Sequence, residues 1–243
     1  MNNQELSKIL SSENISIDIL SSIDFSNINN PDVVETMDIT NDKLGLTPLH
    51  VLCMNVNINY EIIKYLIKNS DANFENYTLI KYKNKKTLIC PLTFLCENVS
   101  FNSEIFELIK NYSFSPNDLM KHKKYCPIMT LFGNNNVTVK MIRIIHDLGN
   151  NIYQKSSIDK NVTSFDCLFE NKSINSEIVQ FIFNNYELNI LFTKSAIIKL
   201  LNNPNIDFAI LSYLNDKYQR IVTDNFVVIL SNPKISKLES ISL

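Results

Sequence analysis

Residues 45–53 read Gly-Leu-Thr-Pro-Leu-His-Val-Leu-Cys, and this stretch decides the fold. Thr47 is a typical helix N-cap, because its hydroxyl can accept a hydrogen bond from a backbone N–H of the first turn. Pro48 then occupies the first helical position, where the missing N–H of proline costs nothing. Three apolar residues follow at the spacing of one helix face: Leu49, Leu52 and Cys53. The stretch therefore predicts a short amphipathic helix that begins at Pro48.

A second amphipathic stretch follows at residues 61–67, and the same pair of stretches recurs three more times. The step from the Pro48 position to the start of the second stretch is 13 residues in every copy (48 to 61, 91 to 104, 127 to 140, 164 to 177). The copies themselves follow one another after 43, 36 and 37 residues. A constant helix pair with connections of varying length is typical of stacked repeats. We therefore predict four helix pairs, stacked in chain order.

Weaker copies of the pattern occupy both ends of the chain. Residues 5–11 and 17–23 predict a further short helix pair, and residues 201–206 are echoed by residues 230–235. The mostly polar stretch from Asp24 to Asn41 is interpreted as a long connection. The predicted organisation is a capping helix pair with its connection over residues 1–41, four repeats over residues 42–190 and degenerate capping repeats over residues 191–243.

The composition is that of a globular protein and excludes several functions. Apolar residues make up 45% of the chain, and its net charge of −2 provides no overall attraction to nucleic acid or to acidic membranes. With only three glycines there is no phosphate-binding loop. The abundance of Asn is interpreted as codon usage in an AT-rich genome. The five cysteines are expected to be small buried apolar residues, since no CxxC spacing occurs.

The run from Asp42 to His50 closely resembles the ankyrin consensus with its Thr-Pro-Leu-His signature. Repeat ends such as residues 69–73 are similar to the closing tail of ankyrin repeats. The resemblance involves about residues 42–190. These degenerate, Asn-rich units are similar to those in ankyrin proteins of large DNA viruses, protists and intracellular bacteria. It implies an all-α solenoid of stacked antiparallel helix pairs. It also implies a protein–protein interaction scaffold, for example a viral or parasite factor that binds a host protein.

The expected partner-binding residues fall into two groups. Outward positions of the first helices are expected to face a concave surface, with an exposed apolar patch unless the long loops cover it: Val51, Met54, Phe94, Glu97 and Thr130. The ankyrin resemblance places lysine-rich loops as fingers beside that surface, including Lys81, Lys83, Lys85, Lys86, Lys123 and Lys124, with Lys121, Lys155 and Lys160 in the same series. These lysines would attract an acidic partner surface, although ordinary solvated loops also tolerate lysine.

No catalytic or metal site is predicted, and no cofactor. The resemblance makes His50 a structural residue that ties its turn to Thr47, and no two histidines have the spacing of metal ligands. The chain is therefore expected to be a monomeric, non-enzymatic protein that binds neither nucleic acid nor membranes. Its start, from Met1 to Glu5, is not typical of a signal peptide, which favours a cytoplasmic location. A helical-repeat protein that binds nucleic acid is the alternative.

Overall fold

The computed structural model describes residues 3–30, 45–82, 85–113, 127–147, 152–153, 162–186 and 194–224, and the single residues 229 and 232. These residues form short helices and one antiparallel hairpin. The helices are α1 Asn3–Leu10, α2 Ile17–Ser21, α3 Pro48–Met54, α4 Tyr60–Asn69, α5 Pro91–Glu97, α6 Ser103–Ser113, α7 Pro127–Gly133, α8 Val139–Asp147, α9 Ser164–Glu170, α10 Ser176–Asn185, α11 Lys194–Asn202 and α12 Phe208–Asp224. The strands are β1 Thr78–Tyr82 and β2 Lys85–Ile89. The predicted all-α class is confirmed for this mostly helical part of the chain.

The helices follow one another as pairs, which we number as units 1 to 6, from α1–α2 in unit 1 to α11–α12 in unit 6. The first helices contact one another in chain order: α1 with α3, α3 with α5, α5 with α7, α7 with α9 and α9 with α11. The second helices do the same from α2 to α12. The four predicted helix pairs are units 2 to 5, and the pair predicted near the start of the chain is unit 1.

Each second helix begins at a side-chain cap. The side-chain oxygen of the capping residue accepts a hydrogen bond of at most 3.4 Å from the backbone N–H three residues later. The capping residues are Ser16, Asn59, Asn102, Thr138, Asn175 and Asp207. All are among the side chains that best satisfy the unpaired N–H groups of a helix start. Short polar residues at these positions therefore set where the second helices begin.

A buried asparagine follows the first helix of units 2 to 6 and links each unit to the one before it. Its Nδ2 donates to two backbone carbonyls of the preceding unit at 2.7–3.0 Å. In units 2 to 6 its Oδ1 accepts the backbone N–H two residues later at 2.8–2.9 Å. Asn232, which comes after α12, donates in the same way to the carbonyls of Leu201 and Asn203. We call these six residues the asparagine ladder: Asn55, Asn98, Asn134, Asn171 and Asn203 of units 2 to 6, and Asn232.

The ladder explains the constant step seen in the sequence. In units 2 to 5 the ladder residue lies seven residues after the first helical position, for example from Pro48 to Asn55. The cap of the second helix comes four residues after the ladder residue, as from Asn55 to Asn59. An inserted or deleted residue in either spacing would move the ladder amide away from the carbonyls of the preceding unit. The turn between the helices is therefore fixed by its contacts to the neighbouring unit.

The interpretation of asparagine as a mere consequence of codon usage is wrong for the ladder positions. Each ladder residue is buried, with at most 8% of its surface exposed. An amide at such a position satisfies buried backbone groups that would otherwise lack a hydrogen-bond partner. In unit 1 the corresponding residue is Ser12, whose Oγ still accepts the N–H of Asn14 at 3.2 Å. Serine keeps this turn contact but lacks an amide that could reach another unit.

The connection between units 2 and 3 contains a β-hairpin, where the sequence analysis placed a loop. Strand β1 pairs with β2 in antiparallel register, from Thr78 opposite Ile89 to Tyr82 opposite Lys85. The two runs are rich in Thr, Ile, Leu and Tyr, residues that favour strands. Only Lys83 and Asn84 separate them, a spacing typical of a hairpin. The lysine content of this stretch obscured its strand-forming residues.

Candidate functional site

The residues on either side of the ladder positions form an exposed edge, which we call the turn edge. The residue before each ladder position ends the first helix, and the residue after it begins the turn. In units 2 to 6 those before are Met54, Glu97, Gly133, Glu170 and Asn202, and those after are Val56, Val99, Asn135, Lys172 and Pro204; all are exposed. Because ladder hydrogen bonds join successive turns, these residues form two parallel rows along the stack.

The predicted apolar patch on the first helices is wrong in two of its three members. Val51 is 6% exposed and Phe94 is 7% exposed, whereas Met54 is 38% exposed. Phe94 lies edge-on against the His50 ring of the preceding unit, with ring centroids 5.8 Å apart. The position three residues after the helix start therefore faces the neighbouring unit, because α3 and α5 contact each other directly.

The remaining residues predicted on the first helices have different surroundings. Glu97 is exposed at the end of α5 and belongs to the turn edge. Thr130 is half-buried, and its Oγ1 donates to the Pro127 carbonyl at 2.9 Å. Thr130 is therefore engaged with its own helix, while Met54 and Glu97 are exposed.

The lysines predicted as fingers are only partly covered by the structure. Lys81, Lys85 and Lys86 lie in the hairpin, where Lys81 is the cross-strand partner of Lys86. Lys83, Lys121, Lys123, Lys124, Lys155 and Lys160 lie outside the described residues. The hairpin thus brings three of the predicted lysines into one short element.

His50 has the structural surroundings predicted for it. Its Nε2–H donates to the Ile89 carbonyl at 3.2 Å, which leaves Nδ1 to accept the backbone N–H of Thr47 at 3.2 Å and its hydroxyl at 2.8 Å. The Thr47 Oγ1 in turn accepts the His50 N–H. His50 is fully buried, so it joins unit 2 to the base of the hairpin as an uncharged ring.

The same position in unit 5 holds a carboxylate instead of a ring. One oxygen of Asp166, Oδ2, accepts the backbone N–H of Thr163 at 2.8 Å and its hydroxyl at 2.5 Å. The other oxygen, Oδ1, makes no hydrogen bond and lies 3.5 Å from the ammonium of Lys199 in unit 6. Lys199 also lies 3.0 Å from Glu170. Although partial burial lowers the pKa of Lys199, these two acids outweigh it and raise that pKa.

Sequence reasoning missed the turn edge itself. Val56 and Val99 were not singled out, yet their exposed fractions are 60% and 67%. The available signal was the recurring asparagine seven residues after the first helical position, which aligns the turns of all units. When the turns are aligned on this asparagine, Val56 and Val99 differ from the residues at the same turn position in the other units.

The comparisons with known proteins do not assign the chain to a family. No protein-family model matches the chain, and no curated protein matches it. Among the described residues, no helix is both long and apolar enough to cross a membrane. In the same part of the chain, no group of three or more His, Cys, Asp or Glu side chains is placed to hold a metal ion. The function must therefore be argued from the surface of the stack.

His50→Gln is expected to remove a pH dependence of stability. Burial lowers the pKa of His50 from its ordinary value of 6.5 to about 4. Between these values the unfolded chain binds a proton that the folded chain does not, so stability falls as the pH drops from 6.5 to 4. The loss attributable to His50 is about 2–3 kcal/mol. Glutamine does not titrate and can still cap its helix.

The measurement is urea unfolding at several pH values between 7 and 4, where the unfolding remains reversible. Wild type should lose stability as the pH falls, while His50→Gln should give a flatter curve. Parallel curves for wild type and His50→Gln would show that the buried ring does not couple protonation to folding.

Proposed function

We propose that this chain is a protein-binding scaffold, a stack of ankyrin-like helix pairs that holds another protein along its edges. The observation that carries the proposal is a contrast between positions within one unit. The buried positions repeat from unit to unit, whereas the exposed positions beside them change in chemistry. Packing does not constrain the exposed positions, so their side chains can be matched to a partner.

The constant positions are those that hold the stack together. The residue three before each ladder position is a fully buried leucine in units 2 to 6: Leu52, Leu95, Leu131, Leu168 and Leu200. The residue three after it is apolar and buried in the same units: Ile58, Phe101, Val137, Ile174 and Ile206. Between them lies the ladder asparagine. Each of units 2 to 6 therefore has the same three buried residues at the same spacing: a leucine, the ladder asparagine and an apolar residue.

The variable positions are those of the turn edge. The residue before the ladder position changes from methionine in unit 2 to glutamate, glycine, glutamate and asparagine in units 3 to 6. The residue after it is valine twice, then asparagine, lysine and proline. Such a row of different side chains on a regular support is suited to recognising one particular protein surface. Repeat proteins use the extended surfaces of a stack in this way.

Two finer points belong to the same proposal. The assignment to ankyrin repeats is supported by the contacts between Thr47 and His50, which give the Thr-Pro-Leu-His stretch a structural role. A cytoplasmic location is supported by the free thiols among the described residues, which include the buried Cys53 and Cys90. Thiols of this kind behave as small apolar side chains.

Charge reversal in the hairpin is expected to slow association with an acidic partner. The variant replaces Lys81, Lys83, Lys85 and Lys86 by glutamate. Exposed charges act mainly on the rate of encounter, so the association rate should fall by about tenfold at low salt and depend less on salt. The measurement is the association rate with a captured and purified partner at low and at physiological ionic strength.

A matched control reverses four lysines that lie on helices: Lys8, Lys64, Lys68 and Lys110. This variant has the same total charge, so any difference between the two variants reports the location of the charge. Nuclease treatment of the captured material shows whether nucleic acid is the acidic partner, which would favour the alternative function. Equal association rates and salt responses for wild type and the hairpin variant would show that these lysines are only solvated residues.

A further inference from the structure

The turn edge of units 2 and 3 carries apolar side chains at positions where the other units carry polar residues or proline. The residue after the ladder position is Val56 in unit 2 and Val99 in unit 3. In units 1, 4, 5 and 6 the corresponding residues are Glu13, Asn135, Lys172 and Pro204. Tight turns favour Asn, Asp, Ser, Gly and Pro, and an exposed β-branched residue contributes nothing to such a turn. The fold therefore does not require valine at these two positions.

The two valines belong to adjacent turns on one side of the stack. The amide of Asn98 donates to the Asn55 carbonyl at 2.9 Å, and the Ser100 hydroxyl donates to the Val56 carbonyl. These bonds hold the turn after Val56 against the turn after Val99. Met54 is 38% exposed and ends α3 two residues before Val56. We call Met54, Val56 and Val99 the apolar turn patch.

Acidic side chains border this patch on the same edge. Glu13 occupies the turn position of unit 1, next to Val56, because Asn55 donates to the carbonyls of Leu10 and Ser12 at 2.8 and 2.9 Å. Glu97 ends the first helix of unit 3, two residues before Val99. Both glutamates are exposed. The first basic residue of the two rows is Lys172, in unit 5.

We propose that the apolar turn patch binds an apolar segment of a partner protein that is flanked by basic residues. Single exposed apolar residues are ordinary on a protein surface, but neighbouring ones form a contiguous apolar patch, which is suited to an interaction. The bordering carboxylates select basic residues next to the apolar segment, since unlike charges at the rim favour the correct partner. This proposal rests on the scaffold function, and it names a second surface besides the hairpin.

The test uses a phage-displayed library of short random peptides. The library is selected on the wild-type chain and counter-selected on the double variant Val56→Ser, Val99→Ser. We expect the surviving peptides to combine apolar residues with neighbouring Lys or Arg. A library that yields no such peptides, or that yields acidic ones, would overturn the proposal.

Synthetic copies of the selected peptides then give affinities by fluorescence anisotropy. The Val56→Ser, Val99→Ser variant should bind about tenfold more weakly, because two apolar side chains no longer contact the peptide. Glu13→Lys with Glu97→Lys should weaken binding by about tenfold as well. The control Ile17→Ser, Phe208→Ser removes exposed apolar side chains elsewhere and should leave the affinity unchanged. Unchanged thermal melting shows that each variant is folded.

Two further measurements exclude other occupants. Sedimentation of wild type and of the valine variant shows whether the patch joins two copies of this chain, and flotation with zwitterionic phosphatidylcholine vesicles shows whether it contacts lipid. Self-association or vesicle binding that disappears in the valine variant would overturn the proposal. If a captured partner binds the valine variant as tightly as wild type but is lost from the hairpin variant, this inference fails while the scaffold function stands.

Discussion

Asn134→Ala is expected to lower the free energy of unfolding by about 3 kcal/mol, although Asn134 lies in a turn at the surface of the stack. The amide donates to the carbonyls of Cys96 and Asn98 at 2.8 Å each, and its oxygen accepts the Asn136 N–H at 2.8 Å. Alanine leaves the two buried carbonyls without this partner, and each loss costs about 1–3 kcal/mol. The Asn98 carbonyl also accepts a hydrogen bond from the Phe101 N–H. Because it keeps this second partner, we expect the total loss of stability to lie in the lower part of the combined range.

The measurement is urea unfolding at neutral pH, with Asn111→Ala as the matched control. Asn111 is exposed on helix α6, so its replacement should change stability by no more than about 0.5 kcal/mol. Asn134→Asp gives a second test, because it keeps the acceptor but places a carboxylate oxygen against two carbonyl oxygens. It should be at least as destabilising as alanine near pH 7 and less so in acid. Wild-type stability for Asn134→Ala would show that the ladder does not hold the units together.

Lys199→Met is expected to lower the free energy of unfolding by about 2–3 kcal/mol, because it leaves a buried carboxylate without its counter-charge. Asp166 is fully buried and its Oδ1 faces only the Lys199 ammonium among the described residues. The Lys199 side chain is 23% exposed, so water reduces the loss below that of a fully buried pair.

The control for this prediction is Lys140→Met, which breaks an ion pair with Glu107 at 3.0 Å. Both of those side chains are about half exposed, so the change should be less than about 1 kcal/mol. Adding Asp166→Asn to Lys199→Met should recover part of the loss, because an uncharged amide at that position no longer needs the ammonium. If Lys199→Met and Lys140→Met lower the free energy of unfolding equally, burial does not make the Lys199–Asp166 pair more stabilising than an exposed pair.

The helix pairs were predictable because their signals are local. Thr47 and Pro48 mark a helix start, and the constant step between the helices depends on residues within one turn. The structural role of His50 was predictable in part, through its neighbour Thr47. Its second contact, to the Ile89 carbonyl, was not, because it joins residues 39 positions apart.

The ladder and the turn edge were missed for a different reason. Asn55 and Asn134 act on carbonyls of the preceding unit, and no local rule requires an amide at the end of a short helix. The high asparagine content of the chain also obscured the few positions where asparagine recurs in register. Val51 and Phe94 were expected on the surface because helix periodicity does not show which neighbouring unit covers a given face.

The most direct test of the scaffold account is the amide hydrogen exchange of the chain, alone and saturated with a captured and purified partner. The account predicts slower exchange in the complex at the two hairpin strands, residues 78–82 and 85–89, and along the turn edge near residues 54–57 and 97–100. The outer faces of the second helices should exchange as they do in the chain alone. Exchange that does not change at either surface, or slows only on the second helices, would contradict the account.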